Sequence, residues 1–201
     1  MADAMMTADA GERAGALSRL FQGGEASTTA GPLTLSEMPV PGQINLRGNP
    51  SDAAFAEAVA KVLGCRLPVA ANTVEKGGDF SLLWLGPDEW LVLTAPGAEA
   101  ELSAGLVEAL AGQHFAITDV TGNRALFRLS GTPAREVLAK GCSLDLHPSR
   151  FATGQCAQTL LARSGIILSQ VDDAPSYDIL PRRSFAEYTW RWLEDAMAEY
   201  R

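Results

Sequence analysis

The segment LLWLGPDEWLVL places two adjacent acidic residues between two tryptophans, a cluster that could do chemistry. Asp88 and Glu89 would form a general acid and base if the fold held them together in a cleft. The surrounding pattern favours a turn instead, because Pro87 has the fixed φ that suits the second position of a type I turn. We therefore expect Asp88 and Glu89 to be solvated carboxylates of a hairpin loop, with Trp84 and Trp90 packed across its strands.

The remaining polar candidates are two histidines and a small set of aspartates. The spacing of His114 and His147 suggests neither a shared metal ion nor a base and nucleophile pair. His147 could form an acid–base couple with Asp145, but polar residues that precede a proline more often stabilise a turn. We interpret Asp172 and Asp173 in the same way, as a solvated turn between strands.

The common catalytic and cofactor motifs are missing from the sequence. It has no GxGxxG, GxxxxGK[ST], HExxH or GxSxG pattern, so it lacks the usual signatures of phosphate loops, zinc helices and nucleophile elbows. Cys65, Cys142 and Cys156 are odd in number and lack CxxC spacing, which predicts buried thiols rather than disulfides or a zinc site. From the residues alone we predict no catalytic, cofactor-binding or metal site in this chain.

Composition excludes several classes of partner. The chain has 201 residues, of which 47% are hydrophobic, so it is long enough to bury a full core. Its formal net charge of −8 and its pI of about 4.8 disfavour binding to nucleic acid. It has no apolar run of roughly 20 residues and no recognisable secretory signal, so we expect no membrane association and a cytoplasmic location.

The distribution of glycine and proline along the chain predicts an N-terminal tail followed by one domain. Residues 1–43 are rich in Ala, Gly, Thr and Pro and are predicted to form a flexible N-terminal arm. The arm contains one apolar cluster, Leu17, Leu20 and Phe21, which is a possible interface with a partner. Residues 44–201 are predicted to form a single domain.

That domain is predicted to be α+β and to contain two similar halves. Residues 44–120 read as strand, helix, strand, strand, helix, strand, the order of a ferredoxin-like, split β-α-β unit. Residues 121–201 follow a similar plan, in which a tight turn at Ser164 and Gly165 joins two strands.

The closing helix lies in the segment SFAEYTWRWLEDAMAEY. Ser184 and Glu187 have the spacing of a capping box at its start. Trp192 falls on the predicted apolar stripe, together with Phe185, Tyr188, Ala196 and Tyr200. Trp190 would lie about 160° away around the helix, so we predict it at the surface or in a partner interface.

Five longer segments point to a known family. LWLGPDEWLVL, DVTGNRALFRLSG, AREVLAKGCSLDL, FATGQCAQTLLAR and RRSFAEYTWRWLEDA together resemble the gamma subunits of bacterial heterotetrameric sarcosine oxidases. The resemblance covers the chain from about residue 40 to its end, with the segments in the family's order. It also implies a relation to the glycine-cleavage T-protein, whose folate-binding domain has the same order of strands and helices.

The resemblance further implies that a catalytic group has been lost. Folate-dependent aminomethyltransferases of this group have an acidic residue shortly after the turn that corresponds to Ser164 and Gly165. Leu168 and Ser169 occupy about that place in this sequence. Since leucine cannot relay a proton and serine cannot replace a carboxylate, the resemblance implies a fold that is retained without its folate chemistry.

The resemblance implies a role inside an assembly. Sarcosine oxidases of this kind contain alpha, beta and delta subunits beside gamma, and they oxidise sarcosine to glycine with formation of hydrogen peroxide and 5,10-methylenetetrahydrofolate. FAD, FMN, NAD, zinc and tetrahydrofolate are expected in the other subunits, whereas gamma holds no cofactor and is inactive alone. The alternatives are a free-standing, folate-dependent aminomethyltransferase-like protein and an unrelated adaptor with a convergent fold.

Overall fold

The computed structural model describes residues 13–24 and 26–201. These residues form two antiparallel β-sheets and four α-helices, an α+β arrangement as predicted. The strands are β1 (Ser27–Ala30), β2 (Leu33–Glu37), β3 (Gly42–Gly48), β4 (Val74–Gly77), β5 (Phe80–Gly86), β6 (Glu89–Thr94), β7 (Phe115–Asp119), β8 (Phe127–Ser130), β9 (Cys156–Leu161), β10 (Ser164–Asp172) and β11 (Ser176–Pro181). The α-helices are α1 (Ala53–Leu63), α2 (Glu99–Ala109), α3 (Ala134–Ala139) and α4 (Ala186–Met197). No helix in the described part of the chain is long and apolar enough to cross a membrane.

The first half forms the five-stranded sheet, in the order β4-β5-β6-β3-β7. Helix α1 follows β3 and helix α2 connects β6 to β7, so the predicted order of elements is confirmed, with β4 added at one edge. The N-cap of helix α1 is Asp52, whose carboxylate accepts a hydrogen bond from the amide of Ala54. It ends at Gly64 in the left-handed conformation, with φ of 66°, as the sequence predicts.

The second sheet repeats this strand order and includes two strands, β1 and β2, from the N-terminal region. Its order is β1-β2-β8-β11-β10-β9. Strands β9, β10, β11 and β8 thus occupy the places of β4, β5, β6 and β3, and helices α3 and α4 follow β8 and β11 as α1 and α2 follow β3 and β6. The place of β7 is filled by β2, which precedes both halves in sequence.

The prediction of a flexible arm over residues 1–43 is therefore wrong for residues 27–37. Leu33 and Leu35 are fully buried while Thr34 between them is exposed, which is the alternation of a strand with one face on a core. The alternation is short and follows Gly31 and Pro32, so glycine and proline content obscured it. Gly31 turns the β1–β2 hairpin at φ of 54°, where an added Cβ would collide with the backbone of Tyr200.

The two sheets face each other and the helices cover their outer faces. A small apolar cluster, Leu83, Leu91, Cys156, Ile167 and Leu180, joins the inner faces of the two sheets. Two larger clusters lie on the outer faces, one beneath α1 and α2 and the other beneath α3, α4 and the first described residues. The result is a four-layer arrangement of helices, sheet, sheet and helices.

Helix α4 buries a different stripe from the predicted one. Trp190 is completely buried, Trp192 is only partly buried, and Phe185 and Tyr188 are 43% and 40% exposed. The buried stripe instead consists of Ala186, Thr189, Trp190, Leu193, Ala196 and Met197. The surface position predicted for Trp190 is wrong because small residues at helical spacing, and not the other aromatic residues, set the phase.

The start of α4 also differs from the prediction. A 3₁₀ turn, Arg183–Phe185, precedes the helix. The N-cap residue of α4 is Phe185, and no side-chain hydrogen bond caps the helix there. Glu187 does not close a capping box on Ser184, because its carboxylate accepts a hydrogen bond from Arg191 at 2.9 Å, one helical turn later.

Replacement of Leu35 tests whether β2 belongs to the folded domain. Leu35→Ala should lower the free energy of unfolding by about 2–5 kcal/mol, since it removes a fully buried side chain from the outer core. Thr34→Ala on the exposed face is the matched control and should change it by less than about 0.5 kcal/mol. Urea unfolding followed by circular dichroism measures both. Equal midpoints for the two variants would mean that β2 is not part of the cooperative unit.

Candidate functional site

Leu168 and Ser169, the positions linked to the lost folate chemistry, lie in the middle of β10. The side chain of Leu168 is fully buried and belongs to the outer-face core, which also contains Trp190. Ser169 is on the opposite face of the strand, where it pairs in register with Cys156 and Asp178. Leu168 therefore fills a packing position, and no ligand-facing group stands there.

Asp178 is the carboxylate next to Ser169 in register, and it is held in an ion pair. Nε and Nη2 of Arg128 donate to its two oxygens at 2.7 and 2.9 Å, and this hydrogen bonding raises the pKa of Arg128. A bidentate arginine favours the ionised carboxylate. The geometry is that of a structural cross-strand pair rather than a proton-relaying acid.

The turn between β9 and β10 lies earlier than predicted. Leu161 pairs with Ser164, so Ser164 and Gly165 are strand residues and the turn consists of Ala162 and Arg163. Ala162 has a positive φ of 51°, which belongs to the first central position of a two-residue hairpin turn. Ser-Gly is a common turn signal, but here the pairing of the two strands decides the position.

His147 and Asp145 stabilise a loop, as the preferred interpretation holds. The carboxylate of Asp145 accepts a hydrogen bond from the backbone amide of His147 at 3.0 Å and not from its ring. Nδ1 of His147 lies 2.8 Å from the hydroxyl of Ser149. His114 is exposed and lies in the other half, at the start of β7. Among the residues that the structure describes, no group of three His, Cys, Asp or Glu side chains could hold a metal ion.

The aspartates after β10 also serve a turn. Asp172 accepts a hydrogen bond from the amide of Ala174 at 2.9 Å. Asp173 is exposed and accepts one from the hydroxyl of Thr153 at 2.6 Å. Both carboxylates thus satisfy local donors, in agreement with the predicted turn.

The acidic hairpin turns a corner at Pro87 and Asp88, as predicted, but Glu89 is a half-buried residue of β6 and not a solvated residue of the loop. Asp88 is exposed and accepts two hydrogen bonds from Arg47, at 3.0 and 3.1 Å, while Glu89 accepts one from Asn45 at 2.8 Å. Trp84 and Trp90 are direct cross-strand partners in the hairpin. The ring nitrogen of Trp90 donates to the carbonyl of Pro68 at 2.7 Å, so this buried tryptophan is a structural anchor.

The four residues predicted for a partner interface come together inside this chain. Phe21 packs edge to face on Trp190 with ring centroids 5.5 Å apart, and Phe127 contacts Trp190 from the sheet at 5.4 Å. Leu17 is only 1% exposed, and Leu20 is partly buried against the same core. Leu17, Leu20, Phe21 and Trp190 therefore contribute to the outer core of the six-stranded sheet.

Backbone and charge contacts hold these first residues, 13–24, in place; we call them the N-terminal segment. The carboxylate of Glu37, at the end of β2, accepts hydrogen bonds from the amides of Ala16 at 2.6 Å and Leu17 at 3.3 Å. Arg183 donates to the carbonyls of residues 14 and 15. Arg13 forms an ion pair with the buried Glu99 of α2 in the other half, which lowers the pKa of Glu99. The segment thus connects the two halves.

Two open clefts lie on the surface. The larger has a volume of about 1020 Å³ and is lined in part by Arg47, Trp84, Asp88 and His114. Its charged residues already form the Arg47–Asp88 pair. The smaller, with a volume of about 500 Å³, contains two arginines that sequence reasoning did not single out, Arg124 and Arg182. They are 58 residues apart in sequence, so only the fold reveals them.

The comparison with known proteins decides the family. Residues 47–199 match the model of the sarcosine oxidase gamma subunit family. This chain belongs to that family. The sarcosine oxidase subunit gamma of Corynebacterium sp. (strain P-1) is 40% identical over 177 residues, which are 86% of this chain and 84% of that relative.

Solved structures agree with the family and place it in a wider fold group. A chain of the heterotetrameric sarcosine oxidase from Corynebacterium sp. U-96 superposes with a TM-score of 0.82 at 34% identity, covering 94% of this family member and 96% of that chain. The glycine cleavage aminomethyltransferase T of Bartonella henselae superposes with a TM-score of 0.62 at 15% identity. It covers 82% of this chain and 46% of the aminomethyltransferase, which shows that the fold is shared.

The rates at which the three cysteines react with an alkylating reagent test how deeply the structure buries each of them. Burial raises the pKa of the Cys156 thiol to about 11, and Cys142 is also buried, whereas Cys65 is partly exposed. At pH 8 only roughly one thousandth of a thiol with that pKa is ionised. Iodoacetamide at pH 8 should therefore modify Cys65 first and Cys156 last, as followed by peptide mass spectrometry. All three should react at similar rates in urea; faster labelling of native Cys156 would contradict the geometry.

Proposed function

We propose that this chain is the gamma subunit of a heterotetrameric sarcosine oxidase and supports assembly of the complex without taking part in its chemistry. The observation that carries the proposal is the similarity, over nearly the full length of both chains, to a chain of a heterotetrameric sarcosine oxidase. The complex would oxidise sarcosine to glycine and form hydrogen peroxide and 5,10-methylenetetrahydrofolate.

The packing of β10 supports a non-catalytic role. A folate-dependent transferase needs an ionisable group that serves the folate amine, and Leu168 at about that place is buried among apolar side chains. Asp178, which pairs in register with Ser169, forms an ion pair with Arg128. We infer that the two halves are ferredoxin-like units of one T-protein-like domain, and the equivalent strand orders of the two sheets support this.

We place the cofactors of the complex in its alpha, beta and delta subunits. FAD, FMN, NAD, zinc and tetrahydrofolate would be bound there, and gamma would supply contact surface. A cytoplasmic location is part of the proposal, and the three unpaired cysteines suit a reducing compartment.

Omission of this chain from the complex is the direct test. Co-expression of the four subunits should give a stable tetramer, and leaving out gamma should lower the yield and thermal stability of the remaining complex. The purified gamma chain should show no flavin absorbance and no oxidation of sarcosine. A complex that forms, purifies and turns over equally well without gamma would refute the assembly role, and sarcosine oxidation by gamma alone would refute the non-catalytic one.

Folate binding separates the proposal from the free-standing aminomethyltransferase alternative. Isolated gamma should bind tetrahydrofolate weakly or not at all, because loss of one charged hydrogen bond weakens binding roughly 10- to 100-fold. Leu168→Glu alone should not restore binding, since the new carboxylate would enter a closed apolar core. Titration calorimetry with a folate analogue measures both. Stoichiometric, micromolar binding by the unmodified chain would favour the transferase alternative.

A further inference from the structure

Two arginines that no function described above uses lie side by side at the end of the six-stranded sheet. Arg124 and Arg182 form a β-bridge between their backbones, just after Pro181 ends β11. The side chain of Arg124 is half-buried, and its Nη1 donates to the carbonyl of Leu180 at 2.9 Å. The side chain of Arg182 is exposed. The backbone therefore fixes two like charges next to each other.

The position of Arg124 is rigid. Nε2 of the fully buried Gln43 donates to the carbonyl of Arg124 at 2.8 Å, and the next amide, that of Ala125, donates to Pro181 at 3.1 Å. These bonds tie it to both sheets, because Gln43 belongs to β3 and Pro181 to β11. A charged group that is held in this way is already oriented for a ligand.

The arginine pair has no counter-charge among residues 13–24 and 26–201. None of the five ion pairs in this described part of the chain includes Arg124 or Arg182. Burial lowers the pKa of Arg124, and the neighbouring charge of Arg182 lowers it further. The arrangement is unfavourable in the isolated chain, and an external anion would relieve it.

The arginines line a groove of about 500 Å³ that also offers polar side chains and an apolar edge. We call it the arginine groove. Ser143 and Thr159 also line it, as does the exposed Gln158, whose side-chain amide donates to the carbonyl of Leu85 at 2.9 Å. Leu160 lines the groove and is 56% exposed, although it is a large apolar side chain.

Two exposed aromatic residues, Phe185 and Tyr188, lie beside the β9–β10 turn, outside the lining of the arginine groove. Phe185 follows Arg182 by three residues and packs edge to face on Tyr188, at 6.4 Å between ring centroids. The hydroxyl of Tyr188 accepts a hydrogen bond from the amide of Arg163, in the β9–β10 turn that Leu160 and Gly165 flank. Leu160, Phe185 and Tyr188 are three of the five large apolar side chains exposed in the described residues, and Leu160 is the one of them that lines the groove with the arginines.

We propose that the arginine groove is a docking site for an acidic segment of another subunit of the complex, with a carboxylate of that segment bound between Arg124 and Arg182. The inference rests on the proposed function as a subunit. Arginine and exposed aromatic residues are enriched where protein interfaces carry most of their binding energy. A free phosphate or acetate ion would use the charges but not the exposed apolar side chain of Leu160, which is why the site fits a protein segment.

The test compares matched pairs of arginine substitutions in the four-subunit complex. The variant Arg124→Gln with Arg182→Gln should dissociate from the complex roughly 10- to 100-fold more readily, because a charge-assisted contact is lost. Arg66→Gln with Arg150→Gln is the control: it removes the same charge from two exposed arginines that form no ion pair within the described residues. Dilution series analysed by native mass spectrometry measure dissociation. Assembly of the wild-type complex should also weaken more with added salt than assembly of the double variant.

A single variant covers the case in which the double variant fails to fold. The side chain of Arg182 is exposed and lies beside Arg124, so Arg182→Glu should not lower the melting temperature of isolated gamma and should still weaken assembly at least tenfold. If both variants join the complex with wild-type affinity, the docking site is wrong. It is also wrong if millimolar phosphate weakens assembly of wild-type gamma and of Arg182→Glu gamma to the same extent. If wild-type gamma itself does not join the other subunits, the proposed function fails instead.

Discussion

The pairing of β2 with the edge of β8 is the constraint on which the rest of this structure depends. Without β2, the backbone N–H and C=O groups along that edge of β8 would lack their ladder partners. The first half fills the equivalent place with β7, which follows α2, whereas the second half fills it with β2. The sheet is completed by a strand that precedes both halves, and this fixes the path of the N-terminal region.

Several further contacts follow from the position of β2. Glu37 at its end holds the amides of Ala16 and Leu17, and this places Phe21 against Trp190. The β1–β2 hairpin brings the start of the domain beside its last residues, where Gly31 lies against the backbone of Tyr200. A region with the composition of a tail thus becomes part of the core. Burial of its few apolar residues is sufficient because the sheet edge and Glu37 supply the backbone partners.

The sequence predicts an element well where its signals are local and poorly where a distant partner decides. Helix α1 ends at Gly64 and the hairpin turns at Pro87 because one residue type fixes the backbone there. Strand β2 was missed since its alternation has only two leucines and its partner lies some 95 residues later. The sequence predicts that Leu168 lies in a strand but not which face of the sheet its side chain occupies. Strand β10 is buried on both faces, so the alternation of apolar and polar residues that would distinguish the faces is lost.

Charge placement distinguishes the interior of this chain from its arginine groove. The buried Glu99 and the mostly buried Asp178 both have arginine partners within the chain, Arg13 and Arg128. Both carboxylates serve as fixed connections within the chain, whereas an acid or base in a catalytic site must change its protonation state. The chain has a net charge of −8, yet the arginine pair forms no ion pair within residues 13–24 and 26–201. The hydrogen bond from Arg124 to the carbonyl of Leu180 positions one guanidinium but does not balance the two charges, so we look for their counterpart on another chain.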